Sequence, residues 1–566
     1  MTSTMAIDPV DAGIIWSRFV SVADEMVSAM ERAAFSTMVR ASGDFSCMLF
    51  DARGNLIAQG ATSVPSFTGT GPSTLAQVLE RFPAAELRDN DVIVTNDPWI
   101  GTGHTFDINV IKPVFLDGTI VGFCLTVSHL SDVGGVGMGS VAKDVFEEGF
   151  SLPPVKLVEA GIENRFLIDF IRNNVRLVDH VLGDIYCNVA ACNVGAQGLV
   201  KVLVEHGLTT TIDAADAIFA LTRRSIAAKL QSMPKGTYDA TIDVEGGQEF
   251  PDISLSVSVT LSDTGFAYDF AGTDPAVPRG VNVPICYTRA FCYFCTKVFV
   301  AANIPNNQAI LDFVTISAPD NCILNALRPA PTGARHVFGH FVAPLIFKAL
   351  ADALPDDVQA DSGMIFQMNL RGQTRTGQRY SSIFFSAGGY GALSGYDGRA
   401  ALPAPANIVG GSVEFWEPRI GCTFLQKEVL KDSGGPGEFQ GGNGQVISLR
   451  NDTGQPIEAS FMAARSRIAA KGFSGAGPGA LRTILVDGVE TDPKARVLIP
   501  PGGICEIRDA GGGGYGDPAR RSPETIASDL AAGLISARYA EQNYPAQARQ
   551  LATASEHPPK KEPTCP

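Results

Sequence analysis

Two short stretches carry side chains suited to metal chemistry. Asn96-Asp97-Pro98-Trp99-Ile100-Gly101-Thr102-Gly103-His104-Thr105-Phe106-Asp107 places a histidine and an aspartate three apart, and Ser128-His129-Leu130-Ser131-Asp132-Val133-Gly134-Gly135 supplies a second His-x-x-Asp. The chain has seven histidines, so two of them beside Asp and Gly-rich turns form a concentrated donor set. Imidazole nitrogen and carboxylate oxygen together suit Zn²⁺, Mn²⁺ or Fe²⁺. No dense cysteine set lies nearby, which favours a catalytic over a structural site. Taken alone, a His-x-x-Asp pair is a common coincidence.

The elements around the pair give it weight. Thr119 to Ser128 is apolar and rich in β-branched residues, as is Ile108 to Phe115, and both read as strands. The turn Leu116-Asp117-Gly118-Thr119 joins them into a hairpin. Its open end brings His104 and Asp107 together with His129. Residues 9 to 35 have the 3.6-residue period of a long helix, through Ile15, Phe19, Val22, Met26 and Met30. Cys47 to Ala58 reads as strand, turn and strand, and Thr68-Gly69-Thr70-Gly71-Pro72 as a loop before a helix carrying Leu75, Val78 and Leu79. From Phe166 to about Leu208 the pattern is helical, with Arg172, Asn173, Arg176 and Asp184 on the polar side.

The expected fold class is α+β and multi-domain. A mixed α/β region with the metal site covers 1–232, and an α+β region with antiparallel strands covers 233–371. A Gly-rich region at 372–520 is expected to be β, all-β between 400 and 510, before a helical segment at 521–550 and a mobile tail at 551–566. Hydrophobic content of 45% with 18% charged residues supplies ample core. A net charge of −15 argues against nucleic acid or an anionic membrane as partner. No apolar stretch reads as the ~20 residues needed to cross a bilayer, and Met1 to Asp8 lacks the basic and apolar segments of a signal peptide. The eleven cysteines are scattered, and Cys292-Tyr293-Phe294-Cys295 reads as core packing. A reducing, cytoplasmic location is expected.

Other motifs are weaker. Ser433-Gly434-Gly435-Pro436-Gly437 contains a proline that removes a donor from any anion nest, and Gly511 to Gly514 leads into a turn at Asp517-Pro518. No P-loop and no Gly-x-Ser-x-Gly elbow occurs. Arg335-His336-Val337-Phe338-Gly339-His340 sets two histidines on one helix face, for packing or for contact with substrate.

These blocks together resemble the hydantoinase B/oxoprolinase family over residues 10 to 540. The resemblance rests on Asp44-Phe45-Ser46, Asn96-Asp97-Pro98, His104-x-x-Asp107, His129 with Asp132-Val133-Gly134-Gly135, and Phe146-Glu147-Glu148-Gly149. It extends through Val181-Leu182-Gly183-Asp184, Arg335-His336-Val337, Asp432 to Gly442 and Gly512 to Pro518. It implies one divalent metal, Zn or Mn with Fe as a third candidate, bound by Asp44, His104, Asp107 and His129. Asp132 would orient His129 or a water, and His336 would act at the substrate.

The resemblance also implies a hydantoinase A-type partner subunit that carries ATP and phosphorylates a small-molecule substrate, in a hetero-oligomer. Water acidified by the metal would then attack the activated cyclic amide. A ketone carboxylase subunit is the alternative, and four intact ligands disfavour a mere scaffold. Three segments depart from the family's pattern. Pro65-Ser66-Phe67-Thr68-Gly69 stands for Pro-x-His-x-Gly, His129-Leu130-Ser131-Asp132 for His-His-Ala-Asp, and Gly103-His104-Thr105-Phe106-Asp107 for Thr-His-Leu-Pro-Asp. Phe67 and Phe106 would give the pocket aromatic walls suited to a bulkier lactam or an aryl ketone. Both His104→Ala and Asp107→Ala are expected to empty the site and leave the fold intact.

Overall fold

The computed structural model describes residues 7–406, 408 and 410–556. Helix α1 (Pro9–Ala33) is capped by the Asp8 carboxylate, which accepts the Val10 N–H at 2.8 Å, and it buries Ile15, Phe19, Val22, Met26 and Met30. The short α2 (Thr37–Ser42) leads into β1 (Phe45–Asp51) and β2 (Leu56–Gln59). Helix α3 (Thr70–Arg81) begins directly after Gly69, so Thr70 to Pro72 are helical where a loop was expected. Strands β3 (Val92–Thr95), β4 (Asp107–Leu116), β5 (Thr119–His129), β6 (Val155–Glu159) and β7 (Ile162–Glu163) complete an antiparallel sheet ordered β2-β1-β5-β4-β3-β6-β7. The one-turn helix α4 (Val145–Glu148) lies between β5 and β6.

The β4–β5 hairpin turns through Asp117 and Gly118, both at positive φ, the conformation a two-residue turn between twisted strands requires. Its register pairs Asp107 directly with His129.

The helical stretch expected from Phe166 consists of two helices, α5 (Arg165–Asn174) and α6 (Val178–Glu205), with Arg176 at the break. Asp184 is buried in α6 and accepts the Phe35 and Ser36 N–H groups, so it anchors the α1–α2 connection instead of facing solvent. By length and composition α6 could cross a membrane, against the sequence reading. It packs instead against α1 and the face of β4 and β5, burying Val181, Ile185, Leu199 and Val202. Helix α7 (Ile212–Gln231) also packs on α1.

The middle of the chain forms a second sheet, β11-β10-β9-β8, from β8 (Gly236–Val244), β9 (Ile253–Ser262), β10 (Gly265–Asp269) and β11 (Val314–Ser317). The β10–β11 pairing is parallel and the rest antiparallel. Strand β9 alternates buried and more exposed positions, as a half-covered sheet requires. Helices α8 (Ile285–Val300), α9 (Gln308–Leu311), α10 (His336–Gly339) and α11 (Val342–Leu350) accompany it, with α8 and α11 packed together.

The distal part packs two antiparallel sheets face to face. One is ordered β13-β12-β16-β19, from β12 (Ile365–Gln373), β13 (Arg379–Ala387), β16 (Ile457–Met462) and β19 (Arg496–Ile499). The other is β14-β15-β20-β17-β18, from β14 (Cys422–Val429), β15 (Gln445–Asn451), β17 (Thr483–Val486), β18 (Val489–Glu490) and β20 (Ile504–Arg508). Phe366, Phe384, Phe461, Ile447, Leu449 and Ile507 from both sheets form one buried cluster with Trp416, whose ring meets Phe384 edge-on. Trp416 lies on α12 (Val413–Ile420), a helix inside the span expected to be all-β. Ser412 caps it through the Phe415 N–H, and Gly421 ends it in the left-handed region. Helices α13 (Pro523–Ala531), α14 (Ala537–Asn543) and α15 (Pro545–Glu556) follow. Residues 551–556 thus belong to a helix where a tail was expected, and 557–566 lie outside the described residues.

The glycine-rich segments form a hydrogen-bonded backbone layer beside these sheets. Gly435 N–H donates to Gly512 O at 2.8 Å, Gly512 N–H to Gly442 O at 2.9 Å, and Gly442 N–H to Tyr390 O at 2.8 Å. Gly511, Gly513 and Gly514 donate to Ala480 O, Asp361 O and Gly477 O. With these amides engaged by carbonyls, the Gly511 to Gly514 run holds protein backbone and not a phosphate, in line with the sequence reading.

Candidate metal centre

The hairpin register and the preceding loop bring three expected ligands together. His104 Nε2 lies 2.8 Å from Asp107 Oδ1, and His129 Nδ1 lies 3.2 Å from the same oxygen. Asp44, just before β1, follows at 3.8 Å from His129 Nδ1 through Oδ2, and its carbonyl accepts the His129 N–H at 3.1 Å. Phe106 stacks on the His129 ring with centroids 5.6 Å apart and an 8° interplanar angle. His104, Asp107 and His129 are all buried.

The atoms are oriented for a shared cation. His104 Nδ1 is 3.2 Å from Gly333 O, so the proton sits on Nδ1 and the Nε2 lone pair faces inward. Nε2 is buried and has no hydrogen-bond partner; its approach to Asp107 lacks hydrogen-bond geometry. Ligand atoms about 3 Å apart are what metal bonds of ~2.0–2.2 Å require of neighbours. This His/Asp/His group could hold a metal ion, and the Asp44 carboxylate lies beside it.

Arg335, which had no role in the sequence reading, completes the site from the middle of the chain. Its Nη2 donates to Asp107 Oδ2 at 2.7 Å, its Nε to Thr102 O at 2.6 Å, and its guanidinium lies 4.3 Å from the Tyr287 ring centroid. Thr102 Oγ1 also donates to Asp107 Oδ2, at 2.5 Å. Asp107 therefore turns one oxygen to the histidines and the other to Arg335. Gly103 is required here, because a Cβ would meet the Arg335 side chain at 2.8 Å.

Burial and local charge set the ionisation states. Burial opposes ionisation of Asp107, yet the neighbouring His104 imidazole, the Arg335 guanidinium and the His129 contact hold its carboxyl well below the usual range. Burial pushes Asp44 up to about 6, with His129 pulling it back and Asp107 adding to the rise. Burial, and then the Arg335 charge, bring His104 down to about 4.

The enclosing cavity measures about 30 Å³, room for little more than one water. Its lining also includes His336, His340 and Gln367, with Met138, Ile383 and Phe385 as apolar members. His336 Nε2 and Gln367 Oε1 are buried without partners. Tyr287 and Gln367 sit in apolar runs that gave no sequence signal. Asp132 is placed elsewhere: its carboxylate accepts from Arg176, at 2.7 Å from Nη1, and from the Gly134 N–H, in a separate cavity beside Arg371. Neither Phe67 nor Phe106 lines the cavity: Phe67 is buried beside Ser66, Phe106 stacks behind the His129 ring, and the aromatic lining is Tyr287 and Phe385 instead.

His340 carries a pH prediction. Burial and the Arg335 charge lower it to about 3, against 6.5 for an ordinary histidine. The unfolded chain therefore takes up this proton at higher pH than the folded one. Stability present above pH 6.5 is lost as pH falls toward 3, by up to about 1.4 kcal/mol per pH unit. Urea unfolding of metal-free His340→Gln between pH 6.5 and 4 should be shallower in pH by about one proton. An unchanged slope would exclude His340 from the acid response.

Relatives share this architecture. The caprolactamase subunit beta of Pseudomonas jessenii is 27% identical over 552 residues, which cover 94% of each chain. A solved structure of the ATP-dependent caprolactamase from that organism superposes with a TM-score of 0.87 at 24% identity, covering 96% of this chain and 99% of that one. A nucleotide-free acetone carboxylase structure gives a TM-score of 0.87 at 18% identity, covering 98% and 84%. The 5-oxoprolinase of Saccharomyces cerevisiae is 27% identical over 550 residues, which are 42% of its length. With the Hydantoinase B/oxoprolinase family model matching residues 8–518, the chain belongs to the hydantoinase B/oxoprolinase family.

Proposed function

We propose that this chain is the metal-bearing subunit of an ATP-dependent amidohydrolase that opens a cyclic amide of the hydantoin, lactam or 5-oxoproline kind. The observation that carries the reading is the convergence of His104, Asp107 and His129, with Asp44 beside them, in a buried cavity. A divalent ion there, Zn or Mn with Fe as a third candidate, would supply Lewis acidity and lower the pKa of a coordinated water toward neutrality. His336, held well below the ordinary histidine range by burial and by His340 and Arg335, is neutral and can exchange a proton with the reacting oxygen through its unpartnered Nε2. Arg335 fixes Asp107, and Met138, Ile383 and Phe385 keep bulk water out. Asp132 acts by holding Arg176 and the loop after His129.

Phosphorylation of the substrate is assigned to a hydantoinase A-type partner carrying ATP. Support comes from the relative named as a beta subunit and from the engaged amides of the glycine-rich runs. The ten described cysteines are free and buried, which fits a cytoplasmic location. The second reading is a ketone carboxylase subunit, favoured by the fold shared with acetone carboxylase. The likeness to caprolactamase subunit beta over nearly both full chains is the reason hydrolysis is the first reading.

The test is ATP turnover by the complex purified with its native partner, across lactams, hydantoins, 5-oxoproline and methyl ketones. Ring opening without bicarbonate is the expected result. Turnover of a ketone that requires bicarbonate would replace the hydrolase reading with the carboxylase one.

A further inference from the structure

Glu148 is the last residue of α4 and is 1% exposed. Its Oε1 accepts the N–H groups of Thr332 at 2.5 Å and Gly333 at 2.6 Å, and its Oε2 lies 3.3 Å from Thr332 Oγ1. The turn it holds delivers three groups to the site: the Gly333 carbonyl to His104 Nδ1, the Arg335 guanidinium to Asp107, and the His336 ring to the cavity. Both sides of this contact are fixed. Val136 N–H donates to Glu147 O at 2.9 Å, Phe150 N–H to Val133 O at 2.9 Å, and Val145 N–H to Pro329 O at 3.0 Å. Ala334 N–H donates to Gly280 O at 2.6 Å, which fixes the far end of the peptide whose carbonyl meets His104. A Cβ on Gly333 would come within 3.2 Å of Glu148 Oε1, so the carboxyl is seated against bare backbone.

We infer that Glu148 is a positioning residue for the metal centre, acting through the Thr332–Gly333 turn to fix the tautomer and aim of His104. The inference rests on the metal reading above. It explains why an acid is buried where its described partners are two amides and a hydroxyl. Burial pushes this carboxyl up to about 8, with the Gly333 and Thr332 hydrogen bonds pulling it back. Oε1 is the acceptor for both amides, and Oε2 accepts from the Thr332 hydroxyl. Glutamine keeps an oxygen for both amides, and the Thr332 hydroxyl can turn to accept from its amide N–H, whereas methionine fills the space and leaves both amides without an acceptor.

The experiment measures Mn²⁺ and Zn²⁺ affinity of the full chain by chelator competition, with circular dichroism and urea unfolding alongside. Supporting contacts of this kind change metal affinity roughly 10–100-fold. Glu148→Met should weaken binding within that range per folded molecule, Glu148→Gln should restore it to within a few-fold, and Glu147→Gln should leave it unchanged. In ¹⁵N-histidine spectra of the metal-free chain, His104 should be a single Nδ1–H tautomer in the wild type and a mixture in Glu148→Met. A folded Glu148→Met with wild-type affinity and an unchanged His104 tautomer overturns the inference. If Glu148→Met does not fold, Glu148→Asp, one methylene short of the amides, is judged by the same criteria. A wild type that binds no metal removes both the metal reading and this inference. Metal lost in His104→Ala but kept in Glu148→Met removes only this inference.

Discussion

His104→Ala should leave a folded chain without bound metal, whereas Asp107→Ala should lose the metal and about 3–5 kcal/mol of stability as well. The difference lies in what each removal strands. His104 gives up a hydrogen bond to Gly333 O and a lone pair that faces the cavity, and the small pocket it leaves adjoins an existing one. Asp107 is the carboxylate partner of Arg335, whose side chain is 6% exposed and whose remaining neighbours are the Thr102 carbonyl and the Tyr287 ring. Removing the carboxylate leaves a buried guanidinium without its counter-ion, which is costlier than losing the pair together. The double variant Asp107→Ala/Arg335→Met should therefore regain most of the stability and none of the metal. Metal content after dialysis and urea unfolding separate the cases. Metal retained in His104→Ala would remove that residue from the ligand set. An Asp107→Ala chain as stable as the wild type would deny Arg335 its place beside the carboxylate. The sequence suggested that both single variants would stay intact, because nothing near Asp107 in the chain announced the arginine.

That omission marks where the sequence stops being informative. The hairpin was legible because strands β4 and β5 are long, apolar and joined by Asp117-Gly118, so pairing Asp107 with His129 followed from local pattern alone. Asp44 came only from the family resemblance, since its approach to His129 depends on β1 pairing with β5 across the chain. Arg335, Tyr287 and Gln367 reach the cavity from elements more than 150 residues beyond His129, and no spacing rule links them. Proximity in sequence also misled. Asp132 follows His129 by three residues, but the strand has ended there and the loop turns its carboxylate to Arg176 at the break between α5 and α6. Asp184 was misplaced for a related reason: helical periodicity assigns a charge to the polar face, and only the tertiary contact to the Phe35 and Ser36 amides makes its burial tolerable. Trp416 sits on a helix announced by Ser412 and Gly421, signals outweighed by the glycine-rich texture around them.

That glycine texture carries the second large effect. Gly389→Ala and Gly511→Ala are each expected to prevent folding of the distal sheets. A Cβ at Gly389 would lie 1.6 Å from Gly442 O, and one at Gly511 1.6 Å from Ser433 O, where real Cβ contacts essentially never fall under 3.0 Å. The obstructing atoms are backbone carbonyls within a hydrogen-bonded layer, so no side chain can swing away. Overpacking an ordinary core costs about 1–3 kcal/mol because side chains adjust; here Gly389 N–H to Ala510 O and Gly512 N–H to Gly442 O must break too. Such losses consume much of the ~5–15 kcal/mol by which domains are stable. Neither residue is in the left-handed region, so close approach and not backbone freedom demands glycine, a distinction one letter in a sequence cannot convey. Gly13→Ala is the counter-case: in α1, with nothing within 4 Å of the added Cβ, it should stabilise the chain by about 0.5–1 kcal/mol. Soluble yield, circular dichroism and thermal melting of the three variants decide the matter. If Gly389→Ala melts within a few degrees of the wild type, the chains of this layer are not in contact as described.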